Sequence, residues 1–196
     1  PYAYLWCNGQ TTTTATGLPA GNCPVTVTDT KGCSSVVTAT INQPTALSLS
    51  ITGVTNVNCS GGSNGAASVT TSGATPSYSY LWCNTQTTST VTGLSAGSCT
   101  VTVTDFKGCS STATATVTQP GPLVAAIPSK KNVTCPSGTD GQATGVGVSG
   151  TPPYAYLWSS TPAQMTQTET GLSGSTGGTP YFVTVTDNKG CTSSAA

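Results

Sequence analysis

The stretch "YLWCN" at residues 4–8 returns unchanged at 80–84 and again, as "YLWSS", at 156–160. Trp6, Trp82 and Trp158 are evenly spaced, and the same interval separates Cys33 from Cys109, Cys59 from Cys135, and Asp29 from Asp105. Self-similarity at one fixed period confines the chain to a tandem array, in which each unit is a small fold stacked on the next. The third copy is longer, because the steps from Asp105 to Asp187 and from Cys109 to Cys191 both exceed that interval by six. Six additional residues that leave both flanks in register belong in a surface loop. The glycine-rich "SGSTGGTP" at 173–180 is where they are expected.

Each unit reads as β-structure. "VTVTD" at 25–29, 101–105 and 183–187 alternates valine with threonine, the period of two that gives a strand one buried and one polar face. The residues that follow, "TKGC", "FKGC" and "NKGC", suit a tight turn in which Asp29, Asp105 and Asp187 cap backbone amides a few residues on. "TALSLSI" (45–51), "GAASVTTSG" (65–73), "YSYLW" (78–82), "TSTVTGL" (88–94) and "SSTATATVTQP" (110–120) supply further strands, bounded by Gly, Pro, Asn or Ser. No segment shows a 3.6-residue apolar stripe. Several short strands per repeat, with one tryptophan on a middle strand, predict an all-β chain of tandem immunoglobulin-like β-sandwich repeats. Trp6, Trp82 and Trp158 are then core residues. The prolines of "NQPT" (42–45) and "TQPGP" (118–122) mark boundaries at 1–43, 44–120 and 121–196, and stiffen the array into a rod. The first unit lacks its opening strands and the third stops within its last, so a longer repetitive chain is expected.

Nine cysteines fit an exported protein, since cytosolic thiols stay reduced. Cys7 and Cys83 each have a companion at the start of the following "VTVT" strand, Cys23 and Cys99, at the same separation in both copies; in the third copy Ser159 and Tyr181 replace both members. Joint loss predicts two disulfides, Cys7–Cys23 and Cys83–Cys99, because a lone survivor would be an unpaired thiol. Closing such a loop stabilises by ~3 kcal/mol in the chain-entropy model. Alternation puts Cys7 opposite Trp6, so the bond needs a bulge or turn at Cys7 and Asn8. The other five, Cys33, Cys59, Cys109, Cys135 and Cys191, allow two schemes. Pairing within domains gives Cys59–Cys109 and Cys135–Cys191 and leaves Cys33 to a partner outside the 196 residues. Pairing across the linkers gives Cys33–Cys59 and Cys109–Cys135 and leaves Cys191. Parity does not choose. The first scheme is the expectation, because the second must span a strand, a linker and another strand.

Only 5% of the residues are charged, against ~25% in ordinary globular domains. Threonine and serine cover the surface instead. The net charge is zero and there is no histidine, so no basic patch offers a footprint for nucleic acid or anionic lipid. No stretch approaches the ~18 apolar residues of a membrane span. Without histidine or a C-x2-C spacing, structural disulfides are a better reading of the cysteines than a metal site. Asp29, Asp105, Asp140, Glu169 and Asp187 are too dispersed for a calcium cluster and read as turn caps. No Ser-His-Asp arrangement and no recurring carboxylate pair is available, so neither catalysis nor a cofactor is expected. A threonine-covered face with little charge suits lateral packing of identical chains, hence a homo-oligomeric bundle. The rival reading is a carbohydrate-binding accessory array of a secreted enzyme, using Tyr2, Tyr4, Trp6 and their copies as a platform; a core role for the tryptophans is the commoner one.

The run "PYAYLW…TGLPAGNCPVTVTDTKGC…QPTALSLSITGVTNVNCSGGSNGAASVTTSG" resembles the SprB repeat of very large cell-surface proteins of Bacteroidota, among them gliding adhesins and filamentous appendages of predatory relatives. The resemblance covers the whole chain. It implies export by the type IX secretion system, an extracellular, cell-surface location, and a filament or adhesive fibre that attaches to surfaces or other cells by contact. Where Cys23 and Cys99 stand the family pattern has an aromatic, as at Tyr181. The extra cysteines therefore imply a rod reinforced beyond the family norm.

Overall fold

A computed structural model describes residues 1–174 and 180–196 of the chain. The valine–threonine alternation becomes strand wherever it occurs, and among the described residues there are fifteen strands and no helix. The first domain contributes β1 (Ala3–Trp6), β2 (Gly21–Thr28) and β3 (Ser34–Ile41), hydrogen-bonded in that order. The second holds β4 (Ser48–Thr55), β5 (Gly65–Ser72), β6 (Ser79–Trp82), β7 (Thr90–Leu94), β8 (Gly97–Thr104) and β9 (Ser110–Val117). Its sheets are β4-β5-β7 and β6-β8-β9, antiparallel throughout. The third repeats them as β10 (Val124–Lys131), β11 (Gly141–Val148) and β13 (Thr168–Leu172) against β12 (Ala155–Trp158), β14 (Val183–Thr186) and β15 (Thr192–Ala195). This is the immunoglobulin-like sandwich, with the domain's first, second and fourth strands on one sheet and its third, fifth and sixth on the other.

Alternation decides which residues the two sheets enclose. Val101 and Val103 of β8 and Val91 of β7 are fully buried and pack with Trp82, Leu94, Cys99 and Val117. Thr100 and Thr102, on the opposite face of β8, point outward, where Thr100 pairs with Thr114 of β9 at 2.9 Å. Similar hydroxyl pairs, Thr52–Thr70, Ser68–Thr90, Thr144–Thr168 and Thr184–Ser194, bridge other outer strands. Cross-strand hydroxyls thus take the place that charge pairs hold on most sheets.

In the third domain Trp158, Val183 and Val185 form the corresponding core. Each buried tryptophan satisfies its indole N–H on a loop carbonyl, Trp82 on Thr88 (2.8 Å) and Trp158 on Thr166 (3.0 Å). Trp6 makes the same bond to Thr12 (2.9 Å) but is only half-buried. Its expected core position is corrected by the single sheet that residues 1–43 form: among the described residues no second sheet lies opposite to cover the ring.

A cavity of ≈ 490 Å³ opens in the third domain beside Ile127, Trp158, Leu172, Tyr181 and Ala196.

The longer third repeat divides its six extra residues between two places. Gln86 bonds the backbone of Thr92, and Gln164 bonds Thr170 in the same two-bond arrangement. Both Gln164 and Thr170 stand two positions beyond where the repeat interval would place them, so two residues have entered between Trp158 and Gln164. The remaining four fall between Leu172 and Val183; of the expected 173–180 segment, residues 175–179 lie outside the described residues.

Candidate functional site

The features with covalent chemistry are the cysteines, and the backbone determines what each can reach. Cys7 is bonded to Cys23 and Cys83 to Cys99, with Cα–Cα separations of 5.2 and 5.3 Å. The difficulty that Cys7 should face away from the core is resolved by a turn. Trp6 N donates to Gln10 O and Gly9 N to Trp6 O, both at 2.9 Å, and Trp82 is treated alike by Gln86 and Thr85. The chain thus leaves the ladder at the cysteine, which swings toward the buried Cys23 or Cys99.

In the third domain the two inserted residues relax that turn. Ser159, the residue after β12, instead donates its N–H to Phe182 O and accepts Phe182 N–H on its Oγ, both at 2.9 Å. Tyr181, which stands in the other cysteine's place, bonds through its hydroxyl to Ser173. Hydrogen bonds from both substituted positions replace the staple.

The β8–β9 and β14–β15 turns are held by aspartate. Asp105 Oδ1 accepts the N–H of Lys107 (2.9 Å) and Cys109 (2.7 Å), while Oδ2 accepts Thr75 N–H (3.0 Å). Asp187 does the same with Lys189, Cys191 and Thr151. Asp29 caps Lys31 and Cys33. The Thr75 amide, and then those of Cys109 and Lys107, hold the Asp105 carboxyl below its ordinary range. Burial opposes ionisation of Asp187, but the amides of Thr151, Cys191 and Lys189 outweigh it and its carboxyl also sits low. Asp140 caps a loop, taking Thr134 N–H at 2.9 Å, with Lys131 Nζ and Thr134 Oγ1 each at 3.1 Å. These contacts lower it to about 2. Glu169 is no turn cap. It lies fully buried on β13 with both carboxyl oxygens unpartnered, in the core position that Val91 holds on β7.

Each domain has two distinct poles. The aspartate turn lies where the chain enters: Ala74 N–H bonds Thr45 O (2.8 Å), and Thr75 links to Asp105 and Phe106. The β4–β5 loop lies where the chain leaves, since Val57 N–H bonds Thr118 O, Asn56 Oδ1 accepts Thr118 N–H, and Gln119 Oε1 accepts Gly61 N–H. Cys59 is in that exit loop and Cys109 in the entry turn. The eight-residue β8 between the poles spans roughly 26 Å at ~3.3 Å per residue, far beyond the ~7 Å Cα limit of a disulfide. The expected pairs Cys59–Cys109 and Cys135–Cys191 are therefore corrected, and the cross-linker scheme is not realised either.

Cys59 is instead bonded to Cys191, 132 residues away, with a Cα–Cα separation of 5.6 Å. The exit loop of the second domain is welded to the entry turn of the third, and Cys191 Sγ sits 3.4 Å from Asn58 O. Lys189 joins Asn58, Cys59, Gly62, Ser63 and Asn64 around a small cleft at the join. Cys33, Cys109 and Cys135 are unpaired and exposed. The signal for this join was present in the strand order: in such a sandwich the first loop and the last hairpin turn lie at opposite ends.

The fold and its cysteines define a class, a head-to-tail array of immunoglobulin-like domains reinforced by disulfides. The family model of the SprB repeat matches residues 51–87, from β4 into the loop after β6, a similarity that lies within the second domain. No curated protein matches the chain.

Proposed function

We propose that the chain is a non-enzymatic structural segment of a large secreted surface protein, building an extracellular filament or adhesive fibre for attachment to surfaces or other cells. The carrying observation is the Cys59–Cys191 bond, which converts two domains joined by a linker into one covalently braced element. Three disulfides fit an oxidising location outside the cytoplasm, and SprB repeats suit a surface-associated protein. Burial of Trp82 and Trp158 removes the broad aromatic faces that a sugar-binding platform needs. Lateral packing of identical rods completes the reading: Leu5, Leu81 and Leu157, one per repeat, stand about half-exposed on the outer faces of β1, β6 and β12, and a surface with so few charges offers little repulsion.

Immunogold labelling of the producing cells with antibody to this chain is expected to decorate filaments outside the envelope; label confined to the cell interior sinks the proposal. Light scattering of concentrated protein is expected to show reversible association, weakened by Leu81→Lys. A strictly monomeric protein at all concentrations removes the lateral-packing part.

A further inference from the structure

Three exposed cysteines are left over by the disulfides, and the repeat says what each is. Cys135 is the copy of Cys59 one repeat on, while Cys109 and Cys33 are the copies of Cys191 one and two repeats back. All three therefore occupy positions equivalent to one half of the bonded junction. Their local geometry is already that of the bonded pair. Gly138 N–H donates to Cys135 O at 2.9 Å as Gly62 N–H does to Cys59 O at 3.0 Å. Asp140 caps Thr134 as Asn64 caps Asn58, at 2.9 and 3.0 Å. On the other half, the N–H of Asp29, Asp105 and Asp187 reaches the carbonyl of Cys33, Cys109 and Cys191 at 2.9 Å in every case. Bonded and unbonded halves are thus built alike.

We propose that Cys135 is an exit-pole half-site for the entry turn of a further copy of this repeat, and that Cys33 and Cys109 are entry-pole half-sites for a Cys59-type loop. Every junction between successive repeats then carries the disulfide seen once here. The partner is a second copy of this chain, or a repeat of the same kind. The pairing is polar: exit loop to entry turn, never loop to loop or turn to turn. Cys33 stands at the entry pole of the first domain, so Cys135 of one copy meets Cys33 of the next head to tail. By the same polarity Cys109 takes a Cys59-type loop from the repeat before it, and residues 1–43 include none. In forming each bond, two thiols give up two protons and two electrons to a disulfide oxidant. With oxidised glutathione, the S–S bond forms while two glutathione thiols are released. Such a junction forms whether or not the finished fibre is adhesive.

The test is oxidation of the concentrated 196-residue protein in a glutathione redox buffer, followed by non-reducing electrophoresis and peptide mapping. A ladder of multimers is expected, cross-linked through Cys135–Cys33 with a minor share of Cys135–Cys109, and with Cys59–Cys191 intact in every rung. Cys135→Ser should abolish the ladder while leaving the three internal disulfides and the thermal unfolding of the monomer unchanged. Two results overturn the proposal. One is a mixture in which Cys135–Cys135 and Cys33–Cys33 links are as abundant as the polar ones. The other is a monomer whose three thiols stay fully alkylatable while Cys59–Cys191 is closed.

Discussion

The second and third domains share a strand order, a buried tryptophan and an aspartate-held turn, yet they close the same corner differently. In the second, a tight turn after Trp82 brings Cys83 to Cys99 and a disulfide locks β6 to β8. In the third, two inserted residues loosen the turn, and hydrogen bonds from Ser159, just past β12, to Phe182 take over. Loop length selects the chemistry. The fold itself is supplied by the core and ladders common to both, and the covalent bond is an addition that one loop geometry permits.

The largest expected effect tests what the domains have in common. Trp82→Ala or Trp158→Ala should each cost about 3–5 kcal/mol in its own domain, as for large buried aromatics. Trp6→Ala, lacking a facing sheet, should cost about 1–2 kcal/mol. Hydrogen exchange at Val101, Val183 and Val25 reports the three separately, and equal losses would show that the first domain has a covering beyond its single sheet. Next comes the staple. Cys83→Ala with Cys99→Ala should lower the stability of the second domain by about 3 kcal/mol and leave exchange at Val183 untouched. The converse, Ser159→Cys with Tyr181→Cys, should yield mostly free thiols by thiol titration until Thr161 and Pro162 are also deleted; efficient closure without the deletion refutes the role given to loop length.

Glu169→Val, copying Val91, should raise the stability of the third domain by about 1–3 kcal/mol, because it removes a buried polar group with no partner. Urea unfolding of the variant decides it, and a destabilised protein means that the carboxyl has a partner in solution.

The smallest effect is acid sensitivity. Asp105 and Asp187 both have lowered carboxyl pKa values in the fold, and Asp140 lies at about 2. A carboxylate depressed on folding adds stability fully above its unfolded value near 3.8 and loses it as pH falls toward the folded value. Both domains should weaken as pH drops below about 4. The third should weaken more, because its exit loop is capped by Asp140 where the second has Asn64, which does not titrate. Asp140→Asn should remove that excess in a melting series taken downward in pH through the carboxylate range, and an unchanged series would put the excess elsewhere.

What could be read from sequence was whatever is local or periodic. The Val–Thr alternation, the aspartate set just before its turn cysteine, and the joint replacement of the Cys83 and Cys99 equivalents all act over short spans that spacing records. The Cys59–Cys191 bond was not legible from counting, because five cysteines satisfy parity in several ways. It follows from which pole each loop occupies, a property of strand order in space. Glu169 was misread for a related reason: charge alone marks it as a surface residue, and only alignment with Val91 on β7 places it in the core. The cysteine that Ser159 replaces is explained jointly by its partner and by the inserted loop residues.

The welded junction also changes what the linker has to do. Residues 118–122 leave the second domain beside the loop that holds Cys59, so two covalent paths connect it to the third. A protease that cuts the linker leaves the pieces attached, and tension along the chain is shared between a peptide segment and a sulfur bridge. Severing the assembly there takes two chemistries at once, hydrolysis and reduction, which no single agent outside a cell ordinarily supplies.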